Sequence, residues 1–404
     1  MPTGSGRRAD LVITDVTVFD GESAKLRPGP VVIRDGQIIT VGGHVPPGLP
    51  TLNGRGGTVI PGLIDAHFHA YGHSLSLLDL DAPRLSYTAL AAAPRLSGAL
   101  RRGFTTVRDV AGGDGGLARA VDEGLLDSPR YLFTGAALSQ TGGHGDGRRP
   151  DWDICSFCGH TAEVVDGVDA LRAAVRDRFR QGAHAVKLLT SGGVVSPTDP
   201  LHSVQYSAEE IAAVCEEASR RGSYVAAHAY SARAIRHSVE NGVRSIEHGN
   251  FLDGPTAELM AEQGSVLVPT LVAYDAMDRR AADLGMDPVS QDKNLQVLEA
   301  GVTSLDMAER AGVTIGFGTD LMGPLENDQL IGLRLQTDAT GVLETLRSAT
   351  SRNAAILRRE DLGRVIAGGV ADLVVLTDNP LDDPSALWRE DSRVAVIQAG
   401  AVVG

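Results

Sequence analysis

Aromatic side chains are scarce in this chain: they make up 4% of its 404 residues. Ala, Val, Leu and Ile must therefore fill the interior, and 43% hydrophobic residues are enough for a large core. Cysteine occurs three times, at 155, 158 and 215, which excludes a disulfide framework and suits a reducing cytoplasm. Cys155-x-x-Cys158-x-His160 lacks the fourth ligand and second pair of a zinc site, and reads as a surface loop with free thiols or an opportunistic disulfide. No run of about 18 apolar residues occurs, so no transmembrane helix is expected. The opening MPTGSGRRADLVITD carries two arginines but no apolar centre, and does not read as a secretory leader. Basic residues number 37 against 51 acidic ones, a net charge of −14. An acidic chain with no basic run argues against nucleic acid and against anionic membranes as partners. Lysine is rarer still, found only at 25, 187 and 293, so each one invites inspection.

Glycine, by contrast, is abundant at 48 residues, a sign of many tight turns. The first 58 residues read as β structure: LVITDVTVFDG is a β-branched run, and VVIRDGQIITVGG is a hairpin about Asp35-Gly36, a favoured type I′ pair. Residues 359–404 look alike, with GRVIAGGVADLVVLTDN and SRVAVIQAGAVV. The two ends are expected to pair into one small β-sandwich domain (1–58 and 359–404). Between them, 59–358 alternates short apolar runs with amphipathic stretches. The strand candidates are TVIPGLIDAH, FTTVRDV, RYLFTGA, HAVKLLT, YVAAHA, RSIEHG, SVLVPT and VTIGFGTD. SAEEIAAVCEEASRRG and ARAIRHSVENG read as helices that end in glycine. Eight such alternations predict an α/β fold, a (β/α)8 TIM barrel.

Barrel chemistry sits at the C-terminal ends of the strands. There the chain places His67 and His69, Lys187, His228, His248 and Asp320. His67 and His69 are two apart on a strand and share a face, so two imidazoles can grip one ion. A Lys inside a buried strand loses its charge readily. A neutral Lys187 amine can capture CO₂ as a carbamate, a carboxylate-like bridge between two cations. His184, at odd spacing from Lys187, is expected to face away. His228 and His248 end successive strands. Asp320 ends the last one, where an Asp also serves as a helix N-cap; the alternative is a metal ligand and general base. Tyr230 shares the inward face of His228 and is a candidate for binding a substrate carboxylate. His144, in the glycine-rich SQTGGHGDG, is a candidate to reach over the substrate carbonyl or carboxylate. SGGVVSPTDP (191–200) is expected to shape the pocket, and Arg233 is a further candidate for a carboxylate. His73 and His202 are left without a role.

On PGLIDAHFHA (61–70), VKLLTSGGVVSPTDP (186–200), QYSAEEI (205–211), YVAAHAYSARAI (224–235), RSIEHGN (244–250) and FGTDLMGP (317–324), the chain resembles the metal-dependent amidohydrolase superfamily. It looks like the binuclear branch of prolidase-like dipeptidases and N-acyl amino acid hydrolases that includes ochratoxinase-type amidases. The resemblance implies two divalent metal ions, zinc suiting His and carboxylate oxygen best. His67, His69, carboxylated Lys187 and Asp320 would hold one; Lys187, His228 and His248 the other. It further implies a homo-oligomer and a peptide-like amide substrate bearing a carboxylate: a dipeptide such as Xaa-Pro, an N-acyl amino acid, or an ochratoxin-like aryl amide. The expected chemistry is attack by a metal-bridging hydroxide, with Asp320 moving its proton to the leaving nitrogen. The alternatives are a carbamate or urea-type xenobiotic hydrolase, and a mononuclear imidazolone hydrolase or deaminase. Deaminases of this kind need a Glu three residues after the fifth-strand histidine, where this chain has Ser231.

Overall fold

The computed structural model describes residues 8–148, 159–196 and 199–404. Cys155 and Cys158 lie outside the described residues. Strands from both ends of the chain join in one eight-stranded sheet. Leu11–Val18 pairs antiparallel with Val31–Arg34 and parallel with Thr51–Pro61. Leu373–Leu376 lies antiparallel on the other side of Thr51–Pro61, followed by Arg393–Gln398. The hairpin forms where the sequence predicts it. Asp35 and Gly36 both take positive φ, 47° and 72°, as a type I′ turn requires. Ile13, Ile33, Val59, Leu373 and Ile397 fill the core of this unit.

TVIPGLIDAH, read as one strand, is two: Thr51–Pro61 belongs to the sheet, and Leu63–Phe68 opens the barrel. The chain crosses over at Gly62, whose N–H donates to Asp372 O at 2.7 Å. A side chain there would strike Thr105.

Leu63–Phe68, Phe104–Asp109 and Arg130–Phe133 form one parallel arc. Ala137–Ser139, Val186–Leu189, Val225–Ser231, Ser245–Phe251, Val266–Val268 and Thr314–Ile315 form a second, with Ala162–Val164 added at its edge beside Ala137–Ser139. The arcs meet at both ends. His184 N–H donates to Phe133 O at 2.7 Å, and Ala66 N–H to Phe317 O at 3.0 Å. With Arg130–Phe133 running on into Ala137–Ser139, eight positions close a ring, the barrel architecture expected of alternating strands and helices. The last run, VTIGFGTD, is regular strand only over Thr314–Ile315. Gly316 and Gly318 continue it against Asn353 and His67, where a Cβ has no room.

The outer helices follow their sequence signals. Ser207 and Glu210 make a reciprocal capping box for Ala208–Arg220, and Gly222 follows at φ 67°. Ser231 caps Ala232–Glu240 through Ala234 N. Among the described residues no helix is long and apolar enough to cross a membrane.

Candidate functional site

A cavity of about 780 Å³, counting the space at its mouth, opens at the C-terminal ends of the barrel strands. His67, His69, Lys187, His228, His248 and Asp320 all line it, together with His144 and Tyr230. Strand geometry delivers most of them. His67 and His69 alternate with the buried Ala66 and Phe68. Lys187, 3% exposed, lies within Val186–Leu189. His248 needs more. Ser245 and Glu247 point into the barrel, where Ser245 Oγ donates to Glu247 Oε1 at 2.6 Å. A regular strand would turn the next residue outward. Instead His248 takes φ 74°, and its ring comes round to the mouth; Asp320 takes φ 55°. Two non-glycine residues in the left-handed region, side by side at one cavity, are local strain concentrated at a site.

Each of the four histidines has one ring nitrogen engaged by the protein. His67 Nδ1 is 2.8 Å from Glu247 Oε2, and His69 Nδ1 is 3.4 Å from Ala111 O. His228 Nε2 is 3.0 Å from Gly192 O, and His248 Nδ1 is 2.8 Å from Thr270 Oγ1. The second nitrogens of His67 and His69 face Asp320 Oδ1, at 3.5 and 2.8 Å. This is how ligating histidines are held, with one nitrogen fixed and the other offered to an ion. One ligand atom each from His67, His248 and Asp320 lie within 4.8 Å of one another. The donor set of neutral imidazole and carboxylate fits a divalent transition metal.

Burial sets the protonation states. It pushes the Lys187 ammonium down to about 8, against the pull of Glu247 and Asp320. Burial also holds His228 and His248 well below the usual histidine range, and nearby cationic groups add to it. Burial alone would raise both carboxylates. Around Asp320 the histidines outweigh it and hold the group well below its usual range; around Glu247, Arg108 and His67 hold it at about 2. His228 and His248, neutral beside ionised carboxylates, are in the state a cation binds, whereas at His69 the Asp320 carboxylate outweighs burial and raises the imidazole above its ordinary value.

Around this centre His144 stacks on His228, ring centroids 4.3 Å apart and 21° from parallel. Gly193 lies against that ring, where a Cβ would fall on it. Leu75, Leu77, Val194, Val195, Met277 and Met322 make an apolar outer wall. The wall loop is held from the helix Pro288–Ala311: Lys293 Nζ donates to Gly193 O, Ser196 O and Asp199 O at 3.1, 2.8 and 2.7 Å.

Other expectations end elsewhere. Arg233, a candidate carboxylate binder, is exposed and does not line the cavity, because the helix begins at Ala232 and its first turn carries residue 233 outward. His184 faces a different cleft, with Tyr224 and Arg358. His73 packs on Tyr87 and His202 on Phe251. Sequence reasoning missed Glu247, Arg108 and Tyr274. Glu247 was detectable, as a charged residue at inward spacing in an apolar strand. Tyr274, within the helix Leu271–Leu284, carried no such signal.

Residues 58–403 match the model of the amidohydrolase family. The chain is 30% identical to ochratoxinase of Aspergillus niger, over 95% of this chain and 84% of that protein. A prolidase crystallised with N-methylphosphonate-L-proline superposes with a TM-score of 0.95 at 41% identity, covering 98% of this chain and 99% of that one. A Xaa-Pro dipeptidase with methionine bound in its active site gives 0.87 at 29%, covering 98% and 100%.

Proposed function

The chain belongs to the amidohydrolase family and is a hydrolase acting on amide bonds; from that premise we propose that it cleaves the peptide-like amide of a small carboxylate-bearing substrate, an N-acyl amino acid or a dipeptide such as Xaa-Pro. The observation that carries this reading is the convergence of four histidines, Lys187 and Asp320 on one cavity, each imidazole fixed through one nitrogen by a group outside that set. The names of the relatives, an ochratoxinase and prolidases, support the substrate class.

In this reading His67, His69 and Asp320 would hold one divalent ion, His228 and His248 would hold a second, and Lys187, once carboxylated, would contribute to both. An amine that burial brings to about 8 has neutral form to react with CO₂ near neutral pH. Zinc suits the donors best. When bound, such ions supply a water that is nucleophilic at neutral pH and polarise the amide carbonyl.

The chain's own residues do the rest. Asp320 takes the proton of the attacking water and returns it to the leaving nitrogen. Tyr230 donates to the substrate carboxylate, and His144, stacked on His228, reaches the same group or the carbonyl. The apolar wall excludes water and takes the acyl part. The barrel, taken as 59–358, carries all of these groups, with 1–58 and 359–404 as an accessory domain. A cytoplasmic homo-oligomer completes the proposal, on the scarcity of cysteine and the family resemblance.

The test is a screen of zinc- and bicarbonate-loaded protein against N-acyl amino acids, L,L-dipeptides and aryl amides, with metal counted per chain. We expect turnover of at least one carboxylate-bearing class and two ions per chain. One ion per chain sinks the binuclear assignment. Inactivity toward all three classes turns the reading to carbamates and ureas.

A further inference from the structure

Four polar groups beside the cavity form a chain, of which the roles above use only the two ends, His248 and Tyr230. His248 Nδ1 is 2.8 Å from Thr270 Oγ1 and 3.0 Å from Tyr274 Oη. Thr270 Oγ1 is 3.2 Å from Tyr274 Oη, which is 3.0 Å from Tyr230 Oη. All four residues are buried, and His248, Tyr274 and Tyr230 line the cavity.

A row of hydroxyls has no direction of its own, since each can donate either way. The imidazole at its end decides. With Nδ1 facing two hydroxyls, an ion would be held by Nε2 of His248, which would leave the ring hydrogen on Nδ1 to donate. Thr270 then accepts from His248 and donates to Tyr274. Tyr274, with its oxygen already accepting, donates to Tyr230. The Tyr230 oxygen is thereby occupied, and its own hydrogen is left to point at whatever enters the cavity. With the hydrogen on Nε2 instead, the row can run backwards and Tyr230 can spend its hydrogen on Tyr274.

We propose that Thr270 and Tyr274 form a one-way hydrogen-bond relay that turns the Tyr230 hydroxyl hydrogen into the cavity, making Tyr274 a positioning residue for recognition of the substrate carboxylate. The relay rests on the functional reading above, and adds to it a coupling between metal occupancy at His248 and readiness of the anion-binding phenol. Donors in series strengthen one another, so Tyr230 is a better donor with Tyr274 behind it than alone.

The experiment is a double-mutant cycle on the zinc-loaded protein with Tyr230→Phe, Tyr274→Phe and the double variant. Two quantities are measured for each: KM and kcat for the best N-acyl amino acid, and calorimetric binding of its non-hydrolysable N-sulfonyl counterpart. Loss of a hydrogen bond to a charged carboxylate in Tyr230→Phe raises KM and weakens binding on the order of 30-fold. Tyr274→Phe, which keeps the ring, raises both about tenfold with kcat within about twofold. The double variant is no worse than Tyr230→Phe, because Tyr274 acts only through Tyr230. Thr270→Val breaks the row one step earlier and gives a smaller rise, which Thr270→Ser restores; this pair carries the test if Tyr274→Phe does not fold. Additive losses in the double variant, or a Tyr274→Phe effect on kcat alone, overturn the relay while leaving the functional reading standing. A wild-type protein that neither cleaves the N-acyl amino acids nor binds the sulfonyl analogue overturns both.

Discussion

Asp320 and Glu247 reach the same imidazole from its two nitrogens. Asp320 Oδ1 is 3.5 Å from His67 Nε2, and Glu247 Oε2 is 2.8 Å from His67 Nδ1. The layer beneath the site and its mouth differ in what they leave open. Glu247 is fully buried and fully met: Arg108 Nη2 donates to it at 2.8 Å, Ser245 at 2.6 Å, and His67 supplies the third partner. Arg108, equally buried, also donates to Ala66 O and Tyr224 Oη. At the mouth, Asp320 keeps 17% of its side chain exposed, sits on a positive φ, and faces Nε2 of His67 and of His69, whose Nδ1 atoms are already engaged. The same carboxylate group is thus locked where Arg, Ser and His meet both of its oxygens, and left open where such partners are withheld.

That contrast can be broken at either end. At the mouth, Asp320→Asn is expected to lower kcat on the order of 10³-fold, the usual weight of a general base. Metal content, read by elemental analysis, should change far less. Turnover near the wild-type level in that variant would remove Asp320 from the chemistry.

Beneath it, Glu247→Gln leaves the Arg108 charge buried without its counter-charge, a loss of about 3–5 kcal/mol of stability. The loss depends on pH with a definite sign. Glu247 is depressed from the ordinary 4.5 to about 2 in the folded protein, so its contribution is complete above 4.5 and vanishes as pH falls toward 2. Denaturant midpoints of wild type and variant should therefore converge on acidification. A gap that stays constant down to the lowest pH would mean that charge is not what the layer uses.

The smallest effect concerns the wall between these two regions and solvent. Lys293→Met keeps the stem but removes three hydrogen bonds to the 191–200 loop. KM should rise about threefold to tenfold with kcat within about twofold, since only the fit of the acyl part suffers. A kcat loss as deep as that of Asp320→Asn would show the loop to be part of the reacting centre.

Much of this was legible from local pattern. Asp35-Gly36 names its turn because few residues take positive φ in succession. The spacing of His67 and His69 places two rings on one face without reference to the rest of the fold. Lys187 and His184 separate correctly for the same reason, one lining the site and the other a different cleft. Arg233 failed because, at the second position of the helix, its side chain is carried out to solvent rather than over the cavity.

Sequence alone therefore determined the alternation of strands and helices, the type of side chain at each strand end and the family they point to. Tertiary structure alone decided which nitrogen of each histidine is free. Those partners, Glu247, Ala111, Gly192 and Thr270, come from other strands and loops, the His67–Glu247 pair across 180 positions. It likewise decided the turn of His248 and Asp320 into the mouth by backbone angles that no local preference favours. Periodicity fixes the face of a strand; orienting an imidazole takes a hydrogen bond, and its second atom can be anywhere in the chain.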